Sequence, residues 1–184
     1  ILTREGVRLM TGAKVVRVDN AGGKTVIYEK DGAQGRAEAD AVLVAAGRKP
    51  NSEGLALDQI GIVADRRGIA VDSCLRTTVK NIYAAGDVVG PYQFSHIANY
   101  QAILAVSNAF LPFNKRVNYN AVPWCTFTDP ELARSGLTEA EAREKYGSKI
   151  RVYRAEYAKL DRARTERATE GLAKFVCDTR GKLL

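Results

Sequence analysis

Histidine is almost absent from this sequence: a single one, His96, stands among 184 residues. One imidazole cannot supply a zinc cluster, nor a His-centred triad without partners that its neighbourhood does not offer. Cysteine is nearly as sparse. Cys74, Cys125 and Cys177 are about fifty positions apart, with no CxxC, no metal-ligand spacing and no even count for a disulfide framework, so free or buried thiols are expected. Long apolar runs are missing too. None nears the ~18 residues that span a bilayer, and no charged, apolar and small-residue series opens the chain as a signal peptide would. These absences argue against metal catalysis and lead to the expectation of a cytoplasmic protein without membrane contact. What is present is globular: 46% apolar and 27% charged residues, enough for one ordinary domain or two small ones.

The 28 basic residues outnumber the 21 acidic ones, giving a net charge of +7. Residues 143–167 alone hold nine basic and four acidic side chains, a local +5. Such a stretch invites a nucleic-acid reading. Its only aromatics are Tyr146, Tyr153 and Tyr157, and the acids are interleaved, so a solvated face or a subunit contact is expected instead. The chain begins at Ile1, has its only methionine at Met10, and stops at Lys182-Leu183-Leu184 as a new apolar segment starts, which is expected of a piece of a longer protein.

Residues 14–18 and 24–29 are β-branched runs around Asn20-Ala21-Gly22-Gly23, a hairpin composition. The continuously apolar residues 41–45 predict a strand buried on both faces, ended by Pro50, and residues 81–85 predict a second. Between them, short strands are expected at 60–63 and 68–71. From Ser95 to about Leu111 the apolar residues run almost all the way round a helix, which predicts burial on most sides. Beyond a polar boundary at 114–120, residues 122–127 read as a strand. Thr138-Glu139-Ala140-Glu141 is a capping box opening a helix that Gly147 stops, and residues 150–157 and 172–177 read as strands of an antiparallel sheet. The expected fold is α/β followed by α+β.

Both buried segments end alike, in VLVAAGRKPN (residues 42–51) and NIYAAGDVVG (residues 81–90). Small residues and a glycine at the carboxyl end of a strand let a ligand approach the backbone. They also serve a plain tight turn, and Asp87 can either cap that turn or accept hydrogen bonds from sugar or polyol hydroxyls. After it come Gln93, Phe94, Ser95 and His96, where the helix presents unpaired amides and partial positive charge.

The ordered pair GRKPN and TTVKNIYAAGD (residues 77–87), with PYQFSHIANYQA (residues 91–102) and VPWCTFTDPELARSGLTEAEAR (residues 122–143), resembles the FAD-dependent pyridine nucleotide-disulfide oxidoreductases of mercuric reductase and dihydrolipoamide dehydrogenase type. The resemblance covers essentially the whole chain. It implies that residues 1–47 end an NAD(P)-binding domain, 48–117 form the central FAD-contacting domain, and 118–184 begin a truncated dimerisation domain. It implies FAD and NAD(P)H as cofactors, a homodimer, and a small-molecule electron acceptor such as a disulfide or metal ion. Gly86 and Asp87 match the turn that holds the ribityl chain, and Gly47 the glycine beside the nicotinamide nucleotide. Gln93, Phe94, Ser95 and His96 match the stretch against the pyrimidine end of the flavin; the His96 ring is either a direct contact or a packing and helix-start group. The family's GxGxxG loops, CxxxxC pair and His-Glu dyad have no counterpart here, so no catalytic residue is expected in these 184 positions. The competing expectation is a non-catalytic dimerisation or interaction module.

Overall fold

Two β-branched runs and a two-residue loop build the first sheet. The computed structural model describes residues 1–20, 22–120 and 122–184, so Ala21 of the expected hairpin turn lies outside the described residues. The chain divides into Ile1–Gly47 and Arg48–Leu184. In the first unit β1 (Lys14–Asp19) pairs antiparallel with β2 (Lys24–Lys30), as the sequence predicts, and β2 pairs with β3 (Ala33–Ala39). The β2–β3 loop is Asp31-Gly32, both at positive φ (52° and 78°), the geometry whose twist matches that of the strands. Tyr28 faces Gly35 across the pair, and a Cβ on Gly35 would stand 2.6 Å from the tyrosine ring, so the bare glycine makes room for the aromatic.

The strand expected at 41–45 is not formed. Leu43 and Val44 are 90% and 80% exposed. A parallel strand buried on both faces takes its burial from flanking strands and covering helices, and the described residues offer it neither.

In the second unit a 3₁₀ turn, Leu57–Ile60, stands where a strand was expected to begin, because Ala56 and Gly61 bracket it at φ 48° and 76°. Within residues 57–71, β4 (Ala64–Asp65) and β5 (Gly68–Ile69) pair around the Asp65 turn. Residues 81–85 are likewise not a regular strand. Their backbone folds back on residues 75–77, with Thr77 N–H to Ile82 O at 2.9 Å and Ala84 N–H to Leu75 O at 3.1 Å, leaving one bridge between Arg76 and Tyr83. Ile62, Ile69 and Ala84 form one apolar cluster; Leu75, Leu104 and Ala105 form another, and Val71 touches both.

Helix α1 (Ser95–Phe110) occupies its predicted span but not its predicted environment. It buries Ile97, Gln101, Leu104, Ala105 and Asn108, whereas Ile103, Val106 and Phe110 are 61%, 60% and 83% exposed. The buried positions follow i, i+4, i+7, i+8, i+11, a single stripe. Two of its five members are amides, each hydrogen-bonded, so apolar residues elsewhere on the helix are left outside.

Beyond residue 121, β6 (Trp124–Thr126) pairs with β7 (Leu132–Arg134), and helix α2 (Glu139–Tyr146) packs on β8 (Ile150–Glu156). After the short helix α3 (Asp161–Thr165), β9 (Leu172–Asp178) pairs antiparallel with β8 in register, Tyr153 opposite Phe175. The capping box is complete: Thr138 Oγ1 accepts from Glu141 N–H at 3.2 Å, and the Glu141 carboxylate accepts from Thr138 N–H at 2.7 Å. Glu139 pairs with Arg143 of its own helix (2.9 Å) and binds α2 to the sheet through Arg154 and, at 3.5 Å, Lys174.

These contacts predict that the second unit loses stability in acid. The Arg143 hydrogen bond, foremost, holds Glu139 below the ordinary value of 4.5, and the Thr138 backbone amide, foremost, does so for Glu141. A carboxylate with a lower pKa folded than unfolded adds stability that is complete above the unfolded value and is lost as pH falls through the folded one. Urea midpoints are therefore expected to hold at neutral pH and to drop below about pH 4.5, with Glu139→Gln flattening the drop. Equal pH slopes for wild type and the variant would show that Glu139 contributes nothing.

Candidate functional site

Two chain turns and the first turn of α1 hold the sequence-predicted residues of the second unit. Gly86 is buried at φ 84°, and the turn it starts is closed by Val89 N–H to Gly86 O (2.9 Å) and Gly90 N–H to Asp87 O (3.3 Å). Ile69 N–H donates to Val88 O at 2.8 Å, which ties the turn to β5. A Cβ added at Gly86 would meet the Ala98 Cβ at 3.3 Å, so glycine also lets the turn close on α1.

Asp87 is exposed at the crest of this turn. Asp65, Asp72 and Asp178 show what a turn-capping aspartate does in this chain: each accepts from a backbone N–H two residues on, at 2.7, 2.7 and 2.8 Å. The Asp87 side chain makes no hydrogen bond or ion pair to any described residue. Its carboxylate acceptors remain available.

Phe94 is the N-cap of α1, extended at φ −127° and ψ 140°, and supplies no side-chain oxygen to the first turn. The first helical hydrogen bond runs from Ala98 N–H to Phe94 O, so the amides of Ser95, His96 and Ile97 have no acceptor within the helix. The Phe94 and His96 rings stack at 5.5 Å, and His96 Nε2 lies 2.7 Å from Pro123 O. A carbonyl only accepts, so Nε2 carries the proton of that bond. Gln93 to His96 form one wall of an open cleft of about 850 Å³, and Trp124, Cys125 and Arg134 stand on another. Burial first, then Glu131, pushes the Cys125 thiol up, which keeps it protonated at neutral pH and a poor nucleophile.

Gly47 belongs to the first unit. It sits at φ 120°, exposed, with open space where a Cβ would be. All three cysteines are free thiols, and the described residues contain no group of three metal-ligating side chains.

One residue of the site escaped sequence reasoning. Gln101 is completely buried; its Oε1 accepts from Gly86 N–H at 2.6 Å and its Nε2 donates to Tyr119 Oη at 2.7 Å. The available signal was a glutamine on the stripe shared with Ile97, Leu104 and Asn108, where a buried amide must find partners.

Known proteins resemble this chain along nearly its whole length. Mercuric reductase of Bacillus cereus is 40% identical over 97% of the chain, and dihydrolipoyl dehydrogenase of Bacillus subtilis (strain 168) is 35% identical over 96%. The chain spans 28% and 38% of their respective lengths. Among solved structures, the HOCl-induced flavoprotein disulfide reductase RclA of Escherichia coli superposes with a TM-score of 0.81 at 33% identity, covering 97% of this chain and 41% of that one. LpdA of Mycobacterium tuberculosis gives 0.83 at 27% identity, over 96% of this chain and 38% of that one. Residues 122–184 match the family's dimerisation domain, and residues 1–106, more than half of the chain, match the family itself: this protein belongs to the pyridine nucleotide-disulphide oxidoreductases.

Proposed function

We propose that the chain is part of a cytoplasmic, homodimeric flavoenzyme that passes hydride from NAD(P)H through FAD to a small-molecule acceptor, a disulfide or a metal ion, and that it supplies one wall of the flavin site. The observation that carries this is the Asp87 carboxylate, without a partner among the described residues, on a glycine turn held at the Gly86, Val89 and Gly90 amides and the Val88 carbonyl. In this reading Asp87 accepts hydrogen bonds from the ribityl hydroxyls, and the turn beginning at Gly86 brings the backbone close to that chain. The first turn of α1, from Ser95, presents uncapped amides to the pyrimidine edge; a helix N-terminus favours negative charge there by ~0.3 to 2 kcal/mol. Gln93 and Phe94 shape the approach to those amides, and His96 fixes the helix start by its bond to Pro123. FAD, when bound, supplies the redox chemistry, and these residues bind and orient it. Gly47 is read as the close-approach glycine of the nicotinamide nucleotide. Residues 1–47, 48–117 and 118–184 are read as the end of the NAD(P) domain, the FAD-contacting domain and the start of the dimerisation domain. The dimer reading is supported by the match at residues 122–184. No described helix is long and apolar enough to cross a membrane.

The longer polypeptide that carries this sequence tests the proposal. Purified, it is expected to show flavin absorbance and to oxidise NAD(P)H; protein that stays colourless and takes up no FAD on titration would overturn it. The 184-residue chain alone is expected to hold little flavin and to turn over no NAD(P)H, because it contains no GxGxxG loop to seat a pyrophosphate. Near-stoichiometric FAD on the isolated chain would refute that.

A further inference from the structure

Helix α1 carries two parts of the proposed flavin wall at once: the open amides of its first turn and, six residues further on, Gln101. Gln101 is completely buried, and its Oε1 is the acceptor found for the Gly86 amide, at 2.6 Å. That amide can only donate, so the orientation of the Gln101 side chain is fixed: Oε1 to Gly86, Nε2 to the Tyr119 hydroxyl at 2.7 Å. Tyr119 is in turn held against the Tyr92 ring at 4.8 Å. Gly86 immediately precedes Asp87, and its αL backbone sets the direction in which the next residue leaves. We propose that Gln101 is a positioning residue for flavin binding: it fastens the Gly86 turn to α1 and so sets the Asp87 carboxylate at a constant place relative to the helix N-terminus. This rests on the reading of Asp87 as a flavin contact.

Several observations separate this from simple packing. The side chain is an amide on an otherwise apolar stretch of the buried stripe beside Leu104 and Ala105. It bonds a turn fifteen positions upstream in sequence rather than its own helix. The turn's other bonds, Val89 N–H to Gly86 O, Gly90 N–H to Asp87 O and Ile69 N–H to Val88 O, do not reach the Gly86 amide. Removing the acceptor leaves that buried donor unsatisfied, and the turn is free to rotate Asp87 away.

The test is FAD titration of the deflavinated full-length protein as wild type, Q101M, Q101E, D87A and Q101M/D87A, with urea melts of each apoprotein. Q101M, which keeps the volume and loses both bonds, is expected to weaken FAD about tenfold. Q101E is expected to stay within about threefold of wild type, because its side-chain oxygens still accept from Gly86 N–H and can accept a hydrogen bond donated by the Tyr119 hydroxyl. The double variant is expected to bind FAD as D87A does, since Gln101 acts through Asp87. Unchanged affinity in Q101M, or losses that multiply in the double variant, would overturn the proposal while leaving Asp87 a ligand contact. Unchanged affinity in D87A would instead overturn the reading of Asp87, and the proposal with it. Hydrogen exchange at the Gly86 amide of the apoprotein is expected to quicken in Q101M, and a wild-type rate there would refute the fastening itself. Should Q101M fail to fold, Q101N, one methylene too short to keep both bonds, takes its place with the same expectations.

Discussion

Gly68→Ala is expected to leave the second unit largely unfolded under conditions where the wild type is folded. Gly68 sits at φ 126°, where a side chain is strained, and a Cβ there would collide with the Val88 carbonyl oxygen and stand 3.0 Å from the Val89 carbonyl carbon. Both obstacles are backbone, so no rotamer change relieves them. Separating the chains breaks the 2.8 Å bond from Ile69 N–H to Val88 O and opens the cluster of Ile62, Ile69 and Ala84, which Val88 and Val89 cover. Backbone strain of about 1 to 3 kcal/mol, together with lost apolar contact, amounts to about 3 to 5 kcal/mol, which is much of an ordinary domain's stability. A urea melt checks it; a midpoint equal to that of wild type would mean that the turn at residues 86–90 moves freely from β5.

Asp87→Ala, in the full-length protein, is expected to act on ligand rather than on fold. If the carboxylate accepts hydrogen bonds from ribityl hydroxyls, its removal weakens FAD by ~1.5 to 3 kcal/mol, a factor of about 10 to 150. The apoprotein should melt almost as before. The side chain is exposed and bonds to no described residue, so its loss neither opens a cavity nor orphans a backbone amide. At Asp72 the outcome should be reversed: its Oδ1 accepts from Cys74 and Arg76 amides at 2.7 and 3.0 Å, and alanine there costs stability without touching flavin. FAD titration beside urea melts of both variants separates the two kinds of aspartate. Equal FAD affinity for wild type and Asp87→Ala would remove Asp87 from the site.

Local chemistry was legible in the sequence where it is self-contained. The β1–β2 hairpin, the capping box of α2 and the β8–β9 pair each rest on neighbours close in sequence or on clear alternation. β3 was legible too and was overlooked: Asp-Gly between Lys30 and Ala33 is a two-residue hairpin signal, hidden because AQGRAEA has no β-branched residue. Residues 41–45 failed for another reason. An apolar run states what a segment requires from its surroundings, and burial depends on strands that the described residues do not place beside it. The helix α1 was placed correctly and its environment was not, because counting apolar residues cannot reveal that Gln101 and Asn108 hold the buried positions. The turn at Gly86 and Asp87 could be read from motif and glycine alone, whereas the amide that fastens it could be found only through a contact between residues fifteen apart.

Asn108 has a consequence for the order in which the chain folds. Its side chain donates to Cys74 O and Lys115 O at 2.9 and 2.8 Å and accepts from Lys115 N–H at 2.7 Å, so one amide does for two chain segments what a ladder of strand bonds would do. Among the described residues, the one backbone bond between those segments is Val117 N–H to Ser73 O at 2.8 Å. Without α1, that bond, the Arg76 contact with Asn114 and the packing of Val117 near Leu75 are left to join the segments, and closing a loop of some forty residues on so few contacts is entropically unfavourable. The helix is therefore expected to form early and to act as the template on which residues 72–76 and 115–117 meet. If the Asn108 bonds close only after that template is in place, changes at Asn108 are expected to speed unfolding much more than they slow folding, which unfolding and refolding rates of wild type and Asn108→Ala check.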